Sequence, residues 1–238
     1  MGRFKNRARR DQSAWARICC KYLFLAQMDS YISEQVVDVT PGDLSRFPAW
    51  LYREISLTPH EQQHGPQRFT WCGNPLPEIR AALTHSKNTC GASLASGRGV
   101  GVDVERVEDR RDCFLREYFS AAEREWVAAQ SGKPEPMKPT WLFSVLWSLK
   151  ECAFKAGATG ATEFSELAHL EVVRFPCRDS LAEFHRREGF TRDPASFRVQ
   201  VRSPAGFHSL DVELAGSRDL ILVITRQAAF PEGLPWTH

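Results

Sequence analysis

The segment Gly99-Val100-Gly101-Val102-Asp103-Val104-Glu105 predicts a β-strand with two chemically different faces. Successive side chains of a strand point to opposite faces, so the three valines share one face while Asp103 and Glu105 share the other. The second face therefore presents two carboxylates side by side, and oxygen ligands of this kind suit a hard cation such as Mg²⁺. An amphipathic strand with a solvated acidic face is the alternative interpretation of this segment.

A second segment, Thr140 to Ala156, predicts a helix that Gly157 ends. Trp147, Glu151 and Lys155 are spaced four residues apart within it, so they lie on one helix face. Glu151 and Lys155 thus present an anion and a cation to the same space. Taken alone, the pair is equally consistent with an ordinary surface salt bridge, and Trp147 with a core residue.

The segments around these two predict further helices and strands. Residues 119–130 predict a helix that opens with Ser120 and Glu123 at the spacing of a capping box. Residues 90–95 and 100–104 predict two neighbouring strands joined by a hairpin turn at 96–99.

The two ends of the chain differ in pattern. Residues 1–60 predict a mainly helical and irregular segment, and residues 65–77 predict a proline-rich loop. Four segments towards the C-terminus alternate apolar and polar residues or are rich in β-branched residues, which predicts an antiparallel meander. These segments are 169–175, 197–202, 207–214 and 220–226.

The composition is that of a globular protein whose electrostatic function must be local. Among 238 residues, Lys and Arg number 31 and Asp and Glu number 29, so the net charge of +2 argues against binding to nucleic acid or an anionic membrane. The longest apolar runs, such as residues 220–224, are far shorter than the ~20 residues that span a bilayer.

The cysteines and the N-terminal charges bear on localisation. Seven cysteines form no CxxC pair and are odd in number, so neither a zinc cage nor a disulfide framework is indicated, and we expect a cytoplasmic protein in a reducing cytosol. Five basic residues without an acid within residues 1–10 are consistent with a targeting segment, a phosphate-contacting arm or a solvated terminus.

Four blocks occur in a fixed order between residues 83 and 155. They are Leu83-Thr84-His85-Ser86, Gly101-Val102-Asp103-Val104-Glu105, Phe119-Ser120-Ala121-Ala122-Glu123 followed by Trp126, and Trp147-Ser148-Leu149-Lys150-Glu151 followed by Lys155. In combination they resemble the signature of the 4′-phosphopantetheinyl transferases of the surfactin-synthetase-activating type. The resemblance is weak before residue 83.

The resemblance implies an α+β fold of two similar halves related by pseudo-two-fold symmetry, each with a small antiparallel sheet packed on a helix. The active site would lie between the halves. Residues 1–98 would form the coenzyme-binding half, and residues 99–238 the half with the metal and the catalytic helix. The chain would act as a monomer.

The resemblance also implies the reaction and its partners. The enzyme would transfer the 4′-phosphopantetheine of coenzyme A to a serine of an acyl or peptidyl carrier protein in a Mg²⁺-dependent reaction, with Mn²⁺ as a possible substitute. A Mg²⁺-dependent phosphohydrolase and a non-catalytic module that binds carrier proteins are the competing hypotheses.

The resemblance assigns roles to individual residues. Asp103, Glu105 and Glu151 would hold the metal, and Glu151 is the candidate to accept the serine proton. Lys155, the second catalytic residue, would contact the pyrophosphate of coenzyme A. Glu123 resembles a further acid of the family.

The coenzyme contacts come from the first half of the chain. Thr84 and His85 would contact the 3′-phosphate end of coenzyme A. The family's Gly-Lys-Pro is replaced here by Gly73-Asn74-Pro75. Candidates to replace that lysine, each of which is also explained as a solvated surface charge, are Arg68, Arg80 and Lys87.

Overall fold

The structure is a computed structural model that describes residues 7–28, 44–58, 68–77, 79–96, 99–133, 136–157, 159, 163–186 and 191–227. The helices are α1 (Arg7–Met28), α2 (Ala49–Glu54), α3 (Asp112–Tyr118), α4 (Ala121–Ser131), α5 (Pro139–Lys155), a 3₁₀ helix (Phe164–His169) and α6 (Arg178–Arg186). The strands are β1 (Ile55–Thr58), β2 (Arg68–Trp71), β3 (Asn74–Pro75), β4 (Ile79–Ser86), β5 (Thr89–Ser96), β6 (Val100–Arg106), β7 (Glu171–Arg174), β8 (Thr191–Ser203), β9 (Gly206–Gly216) and β10 (Leu220–Gln227).

The C-terminal strands form a five-stranded sheet in the order β6-β10-β9-β8-β7, with antiparallel pairing throughout. The predicted meander is therefore confirmed. The turn from β9 to β10 requires Gly216, which has φ +136° and whose Cβ, if present, would lie 2.2 Å from the Leu220 carbonyl oxygen. Helix α5 packs on β6 and β10 and contributes most of its side chains to the main hydrophobic core.

The hairpin of β4 and β5 lies between α1 and β6. Ala81 belongs to the core cluster of α1, with Leu83 packed against it, whereas Ala82 belongs to a separate cluster with Val100 and Val102 of β6. Side chains alternate along β4, so one face of the hairpin meets the helix and the other meets β6. This alternation decides where the neighbouring Thr84 points.

The predicted hairpin between the strands at 90–95 and 100–104 is wrong. Strands β5 and β6 do not pair as a hairpin: β5 pairs with β4 through a turn at Lys87 (φ +48°), and β6 pairs with β10. Residues 79–86 form β4, a strand that was not predicted, and β5 makes its ladder hydrogen bonds with it. Residues 97 and 98 of the predicted turn lie outside the described residues.

The prediction of a loop over residues 65–77 is also wrong in part. Residues 68–71 form strand β2, which pairs with β1 and then with the short β3. Phe69 is buried in the N-terminal core, and this burial outweighs the turn signals of the surrounding prolines and glycine.

The α+β class is confirmed, with small antiparallel sheets and packed helices. The predicted helices over 119–130 and 140–156 are confirmed as α4 and α5, and the capping box of Ser120 and Glu123 is present. Among the described residues, no helix combines the length and apolarity needed to cross a bilayer. The pseudo-symmetry and the boundary at residue 98 stay predictions, and Arg3 and Lys5 of the basic N-terminal segment lie outside the described residues.

Candidate active site

Strand β6 carries two of the three acids of the site. Val100, Val102 and Val104 are buried on one face, as their spacing predicts. Asp103 on the other face is also buried, with only 2% of its surface exposed, and Glu105 is half-buried. A solvated acidic face is therefore ruled out at Asp103, because other elements cover this side of the strand as well.

Helix α5 brings Glu151 and Lys155 to the same place. The Lys155 Nζ lies 2.7 Å from the Asp103 Oδ1 and 2.7 Å from the Glu151 Oε2. The side chain of Lys155 is 20% exposed and that of Glu151 13%, so this is not an ordinary surface salt bridge. Lys155 joins the helix to the acidic strand.

Thr84 of β4 lies behind Asp103. Its hydroxyl donates a hydrogen bond to the Asp103 Oδ1 (2.9 Å) and accepts one from the Val104 backbone N–H (3.1 Å). Gly91 stands opposite Thr84 in the hairpin, and a Cβ there would lie 3.0 Å from the Thr84 Cγ2. Close packing and two hydrogen bonds thus hold Thr84 against the acidic strand and orient Asp103.

We expect Thr84→Val to lower the free energy of unfolding by about 1–3 kcal/mol, because the buried Val104 N–H and the Asp103 carboxylate both lose a partner. Thr84→Ser is the matched control, since it keeps the hydroxyl and removes one methyl group, worth about 0.8 kcal/mol. Chemical denaturation of both variants measures the difference. A larger loss in the Ser variant than in the Val variant would show that the methyl group, which only valine keeps, stabilises this position more than the hydroxyl does.

Asp103, Glu105 and Glu151 form one cluster in which a carboxylate oxygen from each residue lies within 4.8 Å of the others. The Asp103 Oδ2 is buried and has no hydrogen-bond partner among the described residues. A buried carboxylate oxygen without a donor is costly, so this atom favours a proton or a cation beside it.

The pKa values of the two glutamates reflect the same crowding. Burial, reinforced by the charge of Asp103, raises the pKa of Glu105 to about 7, although Arg110 and Lys155 oppose the shift. Burial and Asp103 likewise raise the pKa of Glu151 to about 7 against the opposing effect of Lys155. Near neutral pH, this site therefore holds protons that ordinary carboxyl groups would have lost.

The charge balance of the site fits a divalent cation. Burial alone would lower the pKa of Lys155, but Asp103 and Glu151 outweigh it and raise that pKa. Lys155 therefore stays protonated. When all three acids are ionised, Lys155 and Arg110 balance two of their negative charges and one remains uncompensated. Three carboxylates, one with an unpartnered oxygen, are a donor set that suits Mg²⁺ or Mn²⁺.

Arg110 belongs to the site but was not predicted from the sequence. Its guanidinium lies 3.1 Å from the Glu105 Oε2 and stacks over the rings of Phe114 and Trp147 at 4.7 Å and 5.2 Å from their centroids. It lies in the connection between β6 and α3, which has no periodicity from which the direction of a side chain follows. Trp147 itself is buried, as expected for a core residue.

Two other candidate residues point away from the acids. His85 is exposed and follows Thr84 on β4, so it belongs to the face of the hairpin that meets α1. Glu123 is fully buried and pairs instead with Lys150, with 2.9 Å between the Lys150 Nζ and the Glu123 Oε2. The Glu123 carboxylate also accepts hydrogen bonds from the Ser120 and Val172 backbone N–H groups, which occupy its two oxygens.

Comparison with known protein families identifies the segment that contains this cluster. Residues 99–203 match the 4′-phosphopantetheinyl transferase superfamily. The resemblance to that superfamily is thereby confirmed for a segment that runs from β6 to the end of β8 and includes the three acids and Lys155. The match supports a phosphopantetheine-transfer function. Thr84 and His85 lie outside it, and no curated protein matches the chain.

Proposed function

We propose that this protein transfers the 4′-phosphopantetheine of coenzyme A to a serine hydroxyl of an acyl or peptidyl carrier protein. The observation that carries the proposal is the convergence of Asp103, Glu105 and Glu151 within 4.8 Å, joined by Lys155, inside the segment that matches the superfamily. The serine oxygen would form a bond to the phosphorus next to pantetheine. The bond from that phosphorus to the bridging pyrophosphate oxygen would break and release adenosine 3′,5′-bisphosphate.

The acids would hold Mg²⁺, with Mn²⁺ as a substitute. The oxygens of Asp103, Glu105 and Glu151 match the donors that these ions prefer, and the unpartnered Asp103 Oδ2 would gain a cation to interact with. When bound, such an ion supplies charge stabilisation to the phosphoryl oxygens. The charge of the bound ion would then balance the negative charge of the three ionised acids.

Lys155 and Glu151 would carry the transfer chemistry. Lys155 remains protonated beside two carboxylates, so its ammonium group is available to the pyrophosphate at the rim of the acid cluster. Glu151 is the candidate to accept the serine proton, because its pKa of about 7 lies near the pH of the reaction. The nucleophile comes from the carrier protein, so the chain needs none of its own.

Thr84 and His85 would serve the coenzyme in different ways, because they lie on opposite faces of β4. The Thr84 hydroxyl donates to Asp103, so we assign Thr84 the role of positioning the acidic strand, in addition to any contact with the coenzyme. His85 is exposed and would reach the 3′-phosphate end from outside the acid cluster.

Intact-mass measurement of several apo carrier proteins tests the proposal. Each would be incubated with the full-length chain, coenzyme A and Mg²⁺, and a competent carrier should gain the mass of phosphopantetheine. Omission of the chain and replacement of the carrier serine by alanine are the controls. Cleavage of coenzyme A without any gain in carrier mass would contradict the proposal and indicate a phosphohydrolase. Binding of carrier without either reaction would indicate a non-catalytic module.

Mg²⁺ should stabilise the protein more at about pH 8 than at about pH 5.5, because the ligands must lose their protons to bind the ion. The raised pKa values of Glu105 and Glu151 mean that the folded metal-free state binds more protons than the unfolded state between about pH 4.5 and 7. Stability from these groups is thus present at low pH and lost as the pH rises through about 7.

Thermal melts with and without Mg²⁺ at both pH values measure this difference. At a concentration 100 times its dissociation constant, a ligand adds about 2.7 kcal/mol to the free energy of unfolding. Asp211→Asn is the control, because it removes an exposed carboxylate that pairs with Arg198 and should leave the Mg²⁺ effect unchanged. Equal stabilisation by Mg²⁺ at the two pH values would show that the ion does not compete with these protons.

A further inference from the structure

Arg110 is a charged residue beside the acid cluster to which the proposed reaction assigns no role. Its Nη2 lies 3.1 Å from the Glu105 Oε2, and both side chains are about one-fifth exposed. Asp103 and Glu151 pair instead with Lys155. Lys155 thus holds two of the three acids, and Arg110 holds the third.

We propose that Arg110 is a positioning residue that holds the Glu105 carboxylate at the acid cluster and thereby strengthens the binding of a divalent cation there. This role rests on the metal site of the proposed function and assigns to it a residue beyond its three acids. A glutamate side chain has several rotatable bonds, so a carboxylate without a partner would lose conformational freedom when it bound an ion. A fixed partner removes much of that cost before the ion arrives.

Two aromatic rings fix the guanidinium that holds Glu105. The guanidinium lies over Phe114 of α3 at 4.7 Å and over Trp147 of α5 at 5.2 Å from the ring centroids. The two rings pack edge to face, with 4.9 Å between their centroids. A planar guanidinium stacks well on aromatic faces, so two helices set its direction together. The arginine thereby links α3 and α5 to a carboxylate of β6.

The connection between β6 and α3, which carries Arg110, is short and held at both ends. Val107 directly follows β6, and its N–H donates to the Asp219 carbonyl oxygen (3.0 Å). Helix α3 begins two residues after Arg110. The Thr140 hydroxyl at the start of α5 donates to the Asp109 carboxylate (2.7 Å). The chain on either side of Arg110 is therefore restrained before any ligand binds.

One atom of Arg110 indicates that the side chain serves the site rather than the fold. Its Nε is buried and has no hydrogen-bond partner among the described residues. A buried N–H without an acceptor is costly, so an arginine is a poor residue for stability alone. Methionine at this position would keep an unbranched apolar stem against the two rings and remove the unpaired donor. We therefore expect Arg110→Met to fold as the unmodified chain does.

Two effects of Arg110 on a bound cation oppose each other, and they predict changes of opposite sign. By charge alone, a guanidinium beside a ligand repels the ion, so its removal would tighten binding. By position, its removal frees Glu105 and weakens binding. Partners of metal ligands typically contribute about 10- to 100-fold to metal affinity, and Glu105 already compensates the charge of Arg110. We therefore expect the positioning effect to be the larger one.

Binding of Mn²⁺ to the full-length chain tests the proposal, with the free ion measured by its electron paramagnetic resonance signal. Arg110→Met should raise the dissociation constant by about 10- to 100-fold. Arg198→Met is the matched control, because it removes the same charge from an exposed ion pair with Asp211 and should leave the dissociation constant unchanged. Unchanged or tighter binding in Arg110→Met would overturn the proposal.

A double variant shows whether Arg110 acts through Glu105. Glu105→Gln removes the charge that pairs with the guanidinium, so in this background Arg110→Met should change the dissociation constant by less than about twofold. A further loss of about tenfold would mean that Arg110 acts on the ion by another route, which contradicts a positioning role. Melting curves without the ion establish that each variant is folded.

Arg110→Lys keeps the charge without the planar group that stacks on the rings. It should bind Mn²⁺ at least about threefold more tightly than Arg110→Met, because an ammonium group can still pair with Glu105, yet more weakly than the unmodified chain. No recovery in Arg110→Lys would also count against the proposal, since the ion pair with Glu105 would then not account for the effect.

These titrations contain neither coenzyme A nor carrier protein, so their result does not depend on the transfer activity. Failure of the unmodified chain to bind Mn²⁺ would overturn the metal assignment and the role of Arg110 together. Absence of transfer by a chain that binds Mn²⁺, and that loses affinity in Arg110→Met, would contradict the proposed transfer and leave the role of Arg110 supported.

Discussion

Asp103→Asn should reduce the rate of phosphopantetheine transfer by at least about a thousandfold. Asp103 is the residue on which the site depends most, because its Oδ1 contacts Lys155 and Thr84 while its Oδ2 is buried without a partner among the described residues. Asparagine retains the shape and can still accept the threonine hydrogen bond. It removes the charge that the proposed metal would require and that Lys155 pairs with.

The same substitution should affect stability little. The charge of Asp103 raises the pKa of both Glu105 and Glu151, so its loss relieves repulsion on these acids while Lys155 keeps its contact with Glu151. We expect a change in Tm of less than about 4 °C, which corresponds to about 1 kcal/mol for a chain of this size. Titration should show the pKa of Glu151 falling towards its ordinary value.

Asp211→Asn is again the matched control, because it removes the same charge from an exposed ion pair and should leave the transfer rate unchanged. The rate would be measured by carrier mass gain at saturating Mg²⁺ and coenzyme A. A turnover near that of the unmodified chain in Asp103→Asn would contradict the assignment of this residue to the metal.

The local patterns of the sequence predicted the elements that carry the site. Alternation of valine and acid places Asp103 and Glu105 on one face of β6, and four-residue spacing places Glu151 and Lys155 on one face of α5. Both relations depend only on neighbouring residues. The resemblance to a family then brought the two elements together, and the structure shows the contacts between them.

Contacts between distant elements were not predictable in this way. The pairing of β5 was assigned to the wrong strand because a hairpin between 90–95 and 100–104 satisfies the same local pattern as the one that forms with β4. The hydrogen bond from Thr84 to Asp103 follows from that pairing, so it was missed too. Arg110 lies in a connection whose backbone direction is set only by the elements at its two ends.

Lys150→Met should lower the free energy of unfolding by about 3–5 kcal/mol, a larger loss of stability than we expect from Thr84→Val or Asp103→Asn. Lys150 and Glu123 are both fully buried, and their charged groups lie 2.9 Å apart. Burial lowers the pKa of Lys150, which Glu123 opposes, so each charge depends on the other. Methionine would leave the Glu123 carboxylate buried without its cation.

The pair also fixes the position of helix α5, which carries Glu151 and Lys155. Lys150 precedes Glu151 on α5, its ammonium group donates to the Tyr118 carbonyl oxygen, and Glu123 accepts from the backbone N–H of Val172 in β7. The pair thus joins α5 to α4, to the end of α3 and to β7. Loss of stability should therefore accompany some loss of transfer, although neither side chain lies in the acid cluster.

A double-mutant cycle with Glu123→Gln separates the interaction from the burial of each group. The Ser120 and Val172 N–H groups donate to different oxygens of Glu123, and glutamine has only one carbonyl oxygen. Glu123→Gln alone should therefore lose one of these hydrogen bonds and destabilise the protein. The double variant contains no buried charge at either position and should be more stable than the sum of the two single losses predicts. Chemical denaturation of the four proteins measures these free energies. Additive losses would show that the two charges do not stabilise each other, and that Lys150 contributes to the fold through its apolar stem and its hydrogen bond to Tyr118.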